Sequence, residues 1–236
     1  MTTSYKQFCP VAMAAEILSK RWTLVLLREL IAGSTRFNDL RRGMPRMSPT
    51  LLSTRLKELE AAGILRIHRD AQGAGLHDYL LTEAGRDLGN VIEAVGVWGQ
   101  RWVDADLSLE NLDPALLMWD MRRNLNPAPL PPNRSVISFI YSDLPPREQN
   151  WWLIVEPSGE VDLCQIDPGF DVDLFVTAKL RAMTAIWMGY STVKREIAGN
   201  SVQLDGDRAI AAQIQTWLGL SHFAGEPKRE GAAVGA

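Results

Sequence analysis

Two domains of different class are predicted: a mainly α domain over residues 1–106 and an α+β domain over residues 107–222, with a disordered tail at 223–236. Three observations lead there. Residues 11–62 carry four short runs of apolar residues at helical spacing. Two alternating runs then flank a Gly-rich loop, and a long helical pattern follows. Beyond residue 113 a Pro-rich stretch introduces strands first and strand–helix alternation later. A chain of 236 residues suffices for two domains, and 46% hydrophobic with 22% charged residues is a globular composition rather than a disordered one.

Taken in order, Val11–Ser19 reads as a first helix, with Ala12, Ala15 and Leu18 three residues apart. Trp22–Ala32 is a second, dense in Leu and closed by Gly33. Arg36–Gly43 is a third, with Phe37 and Leu40 on one side and Pro45 ending it. Ser48-Pro49 opens a fourth, Ser as amino-cap and Pro in the first turn; Leu52, Leu56 and Leu59 form its apolar stripe and Gly63 stops it. Leu65–Arg69 and His77–Leu81 flank Ala71-Gln72-Gly73-Ala74-Gly75, a β-hairpin with a mobile tip. Thr82-Glu83 begins a helix to about Ala105, with Leu88, Val91, Ile92, Val95, Trp98 and Trp102 along one face. Gly85, Gly89, Gly96 and Gly99 each cost up to ~1 kcal/mol against Ala in that helix, so a close helix–helix approach, as at a dimer interface, is expected there, a helix loosely packed on its own domain being the other reading.

The second domain starts with a helix, Pro114–Asn124, and the helix-incompatible run Asn126–Pro132. Strands follow at Ser135–Tyr141, Trp151–Glu156 and Val161–Ile166, the latter two joined through Pro157-Ser158-Gly159. Val172–Thr177 is a strand, Ala178–Met188 a helix, and Ser191–Ala198, Val202–Leu204 and Asp207–Leu218 read as helix, strand and helix.

Net charge is −3, yet it is unevenly spread. Between Ser19 and Arg69 eleven basic residues meet four acidic ones, an excess of +7, whereas from Leu107 onward eleven basic residues meet sixteen acidic ones. A polyanion-facing surface is therefore expected on the first domain alone. If Leu52, Leu56 and Leu59 face inward, Thr50, Ser53, Thr54 and Lys57 point outward on the same helix, with Ser48 at its start and Arg55 on its flank. Hydroxyls and cations suit base edges and phosphates in a major groove. Arg36, Arg41 and Arg42 can grip the backbone beside it, while Arg66, Arg69 and His77 sit on the hairpin, the place of a wing. A polar outer face also occurs on ordinary solvated helices, and Arg55 or Lys57 could instead pair with Glu58 or Glu60. Four helices and a hairpin are, in that order, a winged helix-turn-helix, and double-stranded DNA is the expected partner.

The sequence also resembles a known family. Cys9-Pro10-Val11, Lys20-Arg21-Trp22-Thr23-Leu24 and Leu27-Arg28-Glu29-Leu30 look like the HxlR-type regulators, as do Arg36–Arg42, Met47-Ser48-Pro49 with Leu52–Glu60, and Tyr79–Arg86. The resemblance covers residues 8 to 105 and implies a transcriptional regulator. It implies further a homodimer held by terminal helices, with one reading helix per subunit in successive major grooves about 34–36 Å apart. The Gly-rich wing tip departs from the common pattern. Some HxlR-type regulators use an amino-terminal cysteine as an oxidant sensor, and Cys9 matches that position; an ordinary packed thiol is the other reading.

Asp171–Thr177, Trp187-Met188-Gly189, Ile197-Ala198-Gly199 and Val202–Asp207 resemble the end of sterol-carrier-protein domains, α+β folds with an apolar cavity for lipids or fatty acyl chains. That resemblance implies a sensor for an apolar small-molecule effector, with Trp119, Met183, Trp187, Met188 and Trp217 as candidate lining. Helically spaced apolar residues are more often core. A lipid carrier whose winged helix makes only protein contacts remains the alternative.

An enzyme is not expected: His68, His77 and His222 have no metal-ligand spacing, and neither a Ser nucleophile elbow nor a phosphate-binding Gly loop is present. No cofactor or metal is called for. Two cysteines, no secretion signal and no apolar run of membrane-spanning length suggest the cytoplasm.

Overall fold

The computed structural model describes residues 4–69 and 77–229. The hairpin tip expected to be mobile, and residues 230–236 of the expected tail, lie outside the described residues. The chain divides into two compact units, Met1–Gly96 and Val97–Ala236.

Unit 1 holds α1 (Pro10–Leu18), α2 (Thr23–Ile31), α3 (Phe37–Arg42), α4 (Pro49–Ala61), the hairpin β1 (Leu65–Arg69) and β2 (His77–Leu81), and the start of α5 (Glu83–Trp102). The Ser48 hydroxyl accepts the Leu51 amide at 3.3 Å and Pro49 stands in the first turn, which fixes where α4 begins. Its end is fixed by Gly63 at φ +73°, in the left-handed region that glycine adopts without strain. There the Ile64 amide reaches back to the Leu59 carbonyl and the Gly63 amide to Glu60. Leu52, Leu56 and Leu59 are buried against Leu26, Leu27 and Leu30 of α2, Leu40, Met44 and Tyr79. The antiparallel hairpin pairs Leu65 with Leu81 and Arg69 with His77.

Of the glycines along α5, Gly85 makes a close approach within the chain, to backbone just ahead of β1 rather than to a second helix. A Cβ at Gly85 would stand 2.1 Å from the Ile64 carbonyl oxygen, whereas nothing lies within 4 Å of that position at Gly89 or Gly99. Thr82 completes the joint: its hydroxyl donates to the Gly63 carbonyl at 2.7 Å and accepts the Gly85 amide at 3.2 Å.

Unit 2 contains the end of α5, then α6 (Ala105–Ser108), α7 (Pro114–Asn124), β3 (Ser135–Tyr141), α8 (Pro146–Gln149), β4 (Asn150–Val155), β5 (Val161–Cys164), β6 (Leu174–Ala178), α9 (Leu180–Trp187), α10 (Val193–Ala198), β7 (Val202–Gly206), α11 (Arg208–Ala212) and α12 (Ile214–Trp217). The five strands form one sheet in the order β5-β4-β3-β6-β7, antiparallel except between β3 and β6. Ile137, Phe139, Leu153, Val155, Leu174 and Val176 line the sheet face that packs on α7, α9 and α12.

Three expectations are corrected here. α5 ends at Trp102 rather than about Ala105. The helix expected over Asp207–Leu218 is two helices broken at Gln213, where the Trp217 indole N–H takes the Ile210 carbonyl at 2.8 Å. Residues 223–229, grouped with the disordered tail because of their small and charged side chains, are placed by specific bonds: Glu226 pairs with Arg101 at 2.6 Å, and the Arg229 amide donates to the Arg101 carbonyl at 3.0 Å.

Candidate nucleic-acid interface

The outer side of α4 is built by its inner side. With Leu52, Leu56 and Leu59 buried, Thr50, Thr54 and Lys57 fall four and three residues apart on the opposite stripe, and all three are exposed. Ser48 is exposed at the amino-cap and Ser53 is half-buried. The Thr54 hydroxyl spends its proton on the Thr50 carbonyl at 3.0 Å, so toward a partner it presents lone pairs. Lys57 has no ion pair among the described residues and offers a free cation.

Arg55 is placed differently. Its Nε donates to the Arg21 carbonyl at 3.2 Å, and its guanidinium pairs with Glu58 at 2.6 Å, leaving the side chain 17% exposed. Lys20 reaches the same carboxylate at 3.2 Å. Partial burial pushes the Glu58 carboxyl up, but the hydrogen bonds and charges of Arg55 and Lys20 outweigh it and hold the group below its ordinary value. Arg55 therefore braces α4 against the α1–α2 turn. The i,i+3 spacing of Arg55 and Glu58 is the sequence signal for their ion pair, but not for the bond to Arg21.

The neighbouring arginines divide in the same way. Arg36 pairs with Asp78 at 2.8 Å and Arg42 with Asp39 at 3.0 Å, while Arg41 is exposed and unpaired among the described residues. On the hairpin, Arg66 and His77 are exposed; Arg69 is the last described residue of β1, opposite His77. Three cations of this basic segment, Arg41, Lys57 and Arg66, are thus left without an ion pair among the described residues.

Composition alone gave no sign of the buried carboxylate beneath this surface. Glu29 is fully buried, pairs with Arg28 and accepts the Ser34 hydroxyl at 3.3 Å. Arg28 also donates to the Gly43 carbonyl at 3.2 Å, and a Cβ at Gly43 would fall 1.9 Å from a Glu29 oxygen. The segment joining α3 to α4 is thereby fastened to α2, and any side chain at Gly43 would force the Glu29 carboxyl group to shift.

Elsewhere the candidates separate. Met183, Trp187 and Trp217 are buried in the core of unit 2, and Met188 is half-buried against it. Trp119 is buried too, with the Arg122 and Arg123 guanidinium groups 5.0 and 5.7 Å from its ring. Cys9 is exposed and precedes α1 as its amino-cap residue; Cys164 is half-buried. Among the described residues no group of His, Cys, Asp and Glu is arranged to hold a metal, and no helix is long and apolar enough to cross a membrane.

Comparison with known proteins adds a family to this geometry. Residues 17–107 match the HxlR-like helix-turn-helix family. The chain is 33% identical over 99 residues to the uncharacterized HTH-type transcriptional regulator YvaP of Bacillus subtilis, covering 42% of this chain and 92% of that protein. It is 38% identical over 104 residues to YdeP of the same organism, covering 43% of this chain and 80% of that protein. Among solved structures, the redox regulator HypR in its reduced form aligns at 33% identity and a TM-score of 0.37, over 39% of this chain and 91% of that one. The family match ends at residue 107 and leaves most of unit 2 outside it.

Proposed function

The chain belongs to the HxlR-like helix-turn-helix family of transcriptional regulators, and from that premise we propose that it acts as a homodimer reading double-stranded DNA with α4 in the major groove. The observation that carries this is the exposed stripe of Thr50, Thr54 and Lys57 directly opposite the buried leucines of α4. Lys57 and Arg41 supply phosphate contacts; Thr50 and Thr54 supply hydrogen-bonding groups to base edges. Arg66, Arg69 and His77 take the wing positions, Arg36 and Arg42 flank the groove, and Arg55 supports the helix from behind.

Support for the dimer is the apolar surface left open on two helices. α1 buries none of its residues, and Val11 is 76% exposed there, with Phe8 just ahead of it at 97%. Val91 and Val95 are exposed four residues apart on α5. A second copy presenting the same faces would cover them.

Salt dependence tests the DNA reading. Affinity for a duplex should fall with a steep log–log slope, and Arg41→Ala and Lys57→Ala should each reduce that slope by about 1. Unchanged slopes in both variants would remove α4 from the groove.

For unit 2 the sterol-carrier resemblance supports a sensor of lipids or similar apolar molecules, with the core side chains Trp119, Met183, Trp187, Met188 and Trp217 yielding to the ligand. Delipidated protein titrated with a long-chain fatty acid should then change its Trp fluorescence and its duplex affinity together. Loss of neither signal nor affinity under saturating acid would defeat the sensor. A thiol switch at Cys9 is favoured by its exposure alone. DNA release by oxidant should be abolished in Cys9→Ser, and its persistence there would place the effect elsewhere.

A further inference from the structure

Behind the proposed groove face, unit 1 contains a cleft of about 70 Å³ between the second half of α1, the first turn of α2 and the rear of α4. Ile17 and Leu59 form its apolar walls. Its polar groups are Glu16, Lys20, Thr23, Arg55 and Glu58. A space of this size admits a few waters or one small planar group.

Three features of this cleft are unfinished. Thr23 is 1% exposed, yet its hydroxyl has no hydrogen-bond partner, a condition that costs free energy in a folded protein unless something fills it. α2 has nine residues and starts without a side-chain cap, because its amino-cap position is occupied by Trp22 at φ +77°. The Thr23 amide is itself taken up by the Lys20 carbonyl at 3.0 Å, and the positive end of the helix dipole stands beside the Thr23 hydroxyl without a side-chain cap. Lys20 and Arg55 share a single carboxylate, Glu58, at 3.2 and 2.6 Å, so this trio has a surplus positive charge. Glu16, the other carboxylate of the cleft, accepts the Tyr5 amide at 2.6 Å.

We propose that this cleft is a binding site for a compact monoanionic carboxylate, seated between the Thr23 hydroxyl, the start of α2 and the Lys20 ammonium. Lys20 is the cation free to turn to the ligand, since Arg55 has its own bond to the Arg21 carbonyl and keeps Glu58 neutralised. Glu16 limits the charge: with it, the four ionised side chains sum to zero, and only the helix dipole and the hydroxyl remain to favour an anion. One negative charge is accommodated and two are opposed. The apolar walls accept a short alkyl group. Because α4 contributes Arg55, Glu58 and Leu59 to the site, occupancy would fix the rear of the helix whose front we place on DNA; this regulatory consequence rests on the DNA reading, and the binding itself does not.

Amide NMR of the full chain, titrated with sodium acetate against sodium chloride at matched ionic strength, tests the site without DNA. Acetate should give saturable shifts at the amides of residues 20–25 and 58–62, with half-saturation on the order of millimolar for so few ligand atoms. Thr23→Val, equal in shape but lacking the hydroxyl, should weaken binding about tenfold, and Lys20→Gln, changed at a partly exposed position, should do likewise. Inorganic phosphate should bind more weakly than acetate. Shifts that chloride reproduces, equal acetate affinity in both variants, or tighter binding of phosphate would each overturn the proposal. With the site shown in this way, duplex affinity measured with and without acetate reports separately on the link to α4.

Discussion

Two helices of this chain show opposite uses of a perimeter. α4 has thirteen residues and buries three of them, Leu52, Leu56 and Leu59. α9 has eight and buries six, among them Met183, Ile186 and Trp187. A helix held by one narrow stripe leaves most of its circumference to solvent or to a partner, whereas a helix surrounded by core has none left to offer. The same difference separates the candidate residues of the two units. Thr50, Thr54 and Lys57 of α4 lie on an exposed surface where a duplex could reach them, and the candidates of α9 and α12 already have partners within their own fold. Recognition is therefore expected on unit 1, and the largest stability effects on unit 2.

The sharpest way to break this contrast is to hollow out unit 2. Trp217 is fully buried and its indole N–H is bonded to the Ile210 carbonyl. Trp217→Ala should lower the stability of unit 2 by about 3–5 kcal/mol. Calorimetry should show this as a lower melting transition for that unit, with the unit 1 transition retained. A loss below about 1 kcal/mol would mean that the ring lines adaptable space rather than core.

A smaller effect tests the joint that orients α5 in unit 1. Gly85→Ala places a methyl group against the Ile64 carbonyl, a backbone atom that cannot turn aside. The expected cost is about 1–3 kcal/mol, read by denaturant unfolding of unit 1. Gly89→Ala, with open space at the same helical register, should instead be neutral or stabilising by up to ~1 kcal/mol. Equal effects at the two positions would make the close approach at Gly85 irrelevant.

The contrast also explains which parts of the molecule could be read from residues alone. α4 was legible because its signals are local: Ser48-Pro49 at the start, a leucine stripe, Gly63 at the end, each acting within a turn of the residue concerned. The free cation at Lys57 followed from the same helical geometry. Arg55 shows the limit of that geometry, because a helical wheel gives direction but not the distance to Arg21, 34 residues earlier. The sheet of unit 2 was legible as strands and not as an order, since the parallel pairing of β3 with β6 joins segments that no local pattern connects. The break at Gln213 and the docking of Glu226 on Arg101 were likewise hidden, each depending on a hydrogen bond to a carbonyl or guanidinium group placed by the rest of the fold.

The smallest effect concerns the line between the two sides of α4, where Lys20 and Arg55 hold Glu58 below its ordinary value of 4.5. A carboxyl whose value is lower in the folded than in the unfolded chain binds fewer protons when folded. It therefore adds stability above 4.5, and that stability fades as pH falls through the lower folded value. With the Glu58 side chain 36% exposed, screening by water limits the contribution to a few tenths of a kcal/mol. Glu58→Gln should thus be slightly less stable than wild type at neutral pH, and the gap should close as pH drops below 4.5. In Arg55→Ala the same carboxylate retains only Lys20, so part of the pH dependence should survive. A gap that is constant with pH would show that Glu58 supports α4 through packing rather than charge, and the brace behind the DNA-facing stripe would then be the leucines alone.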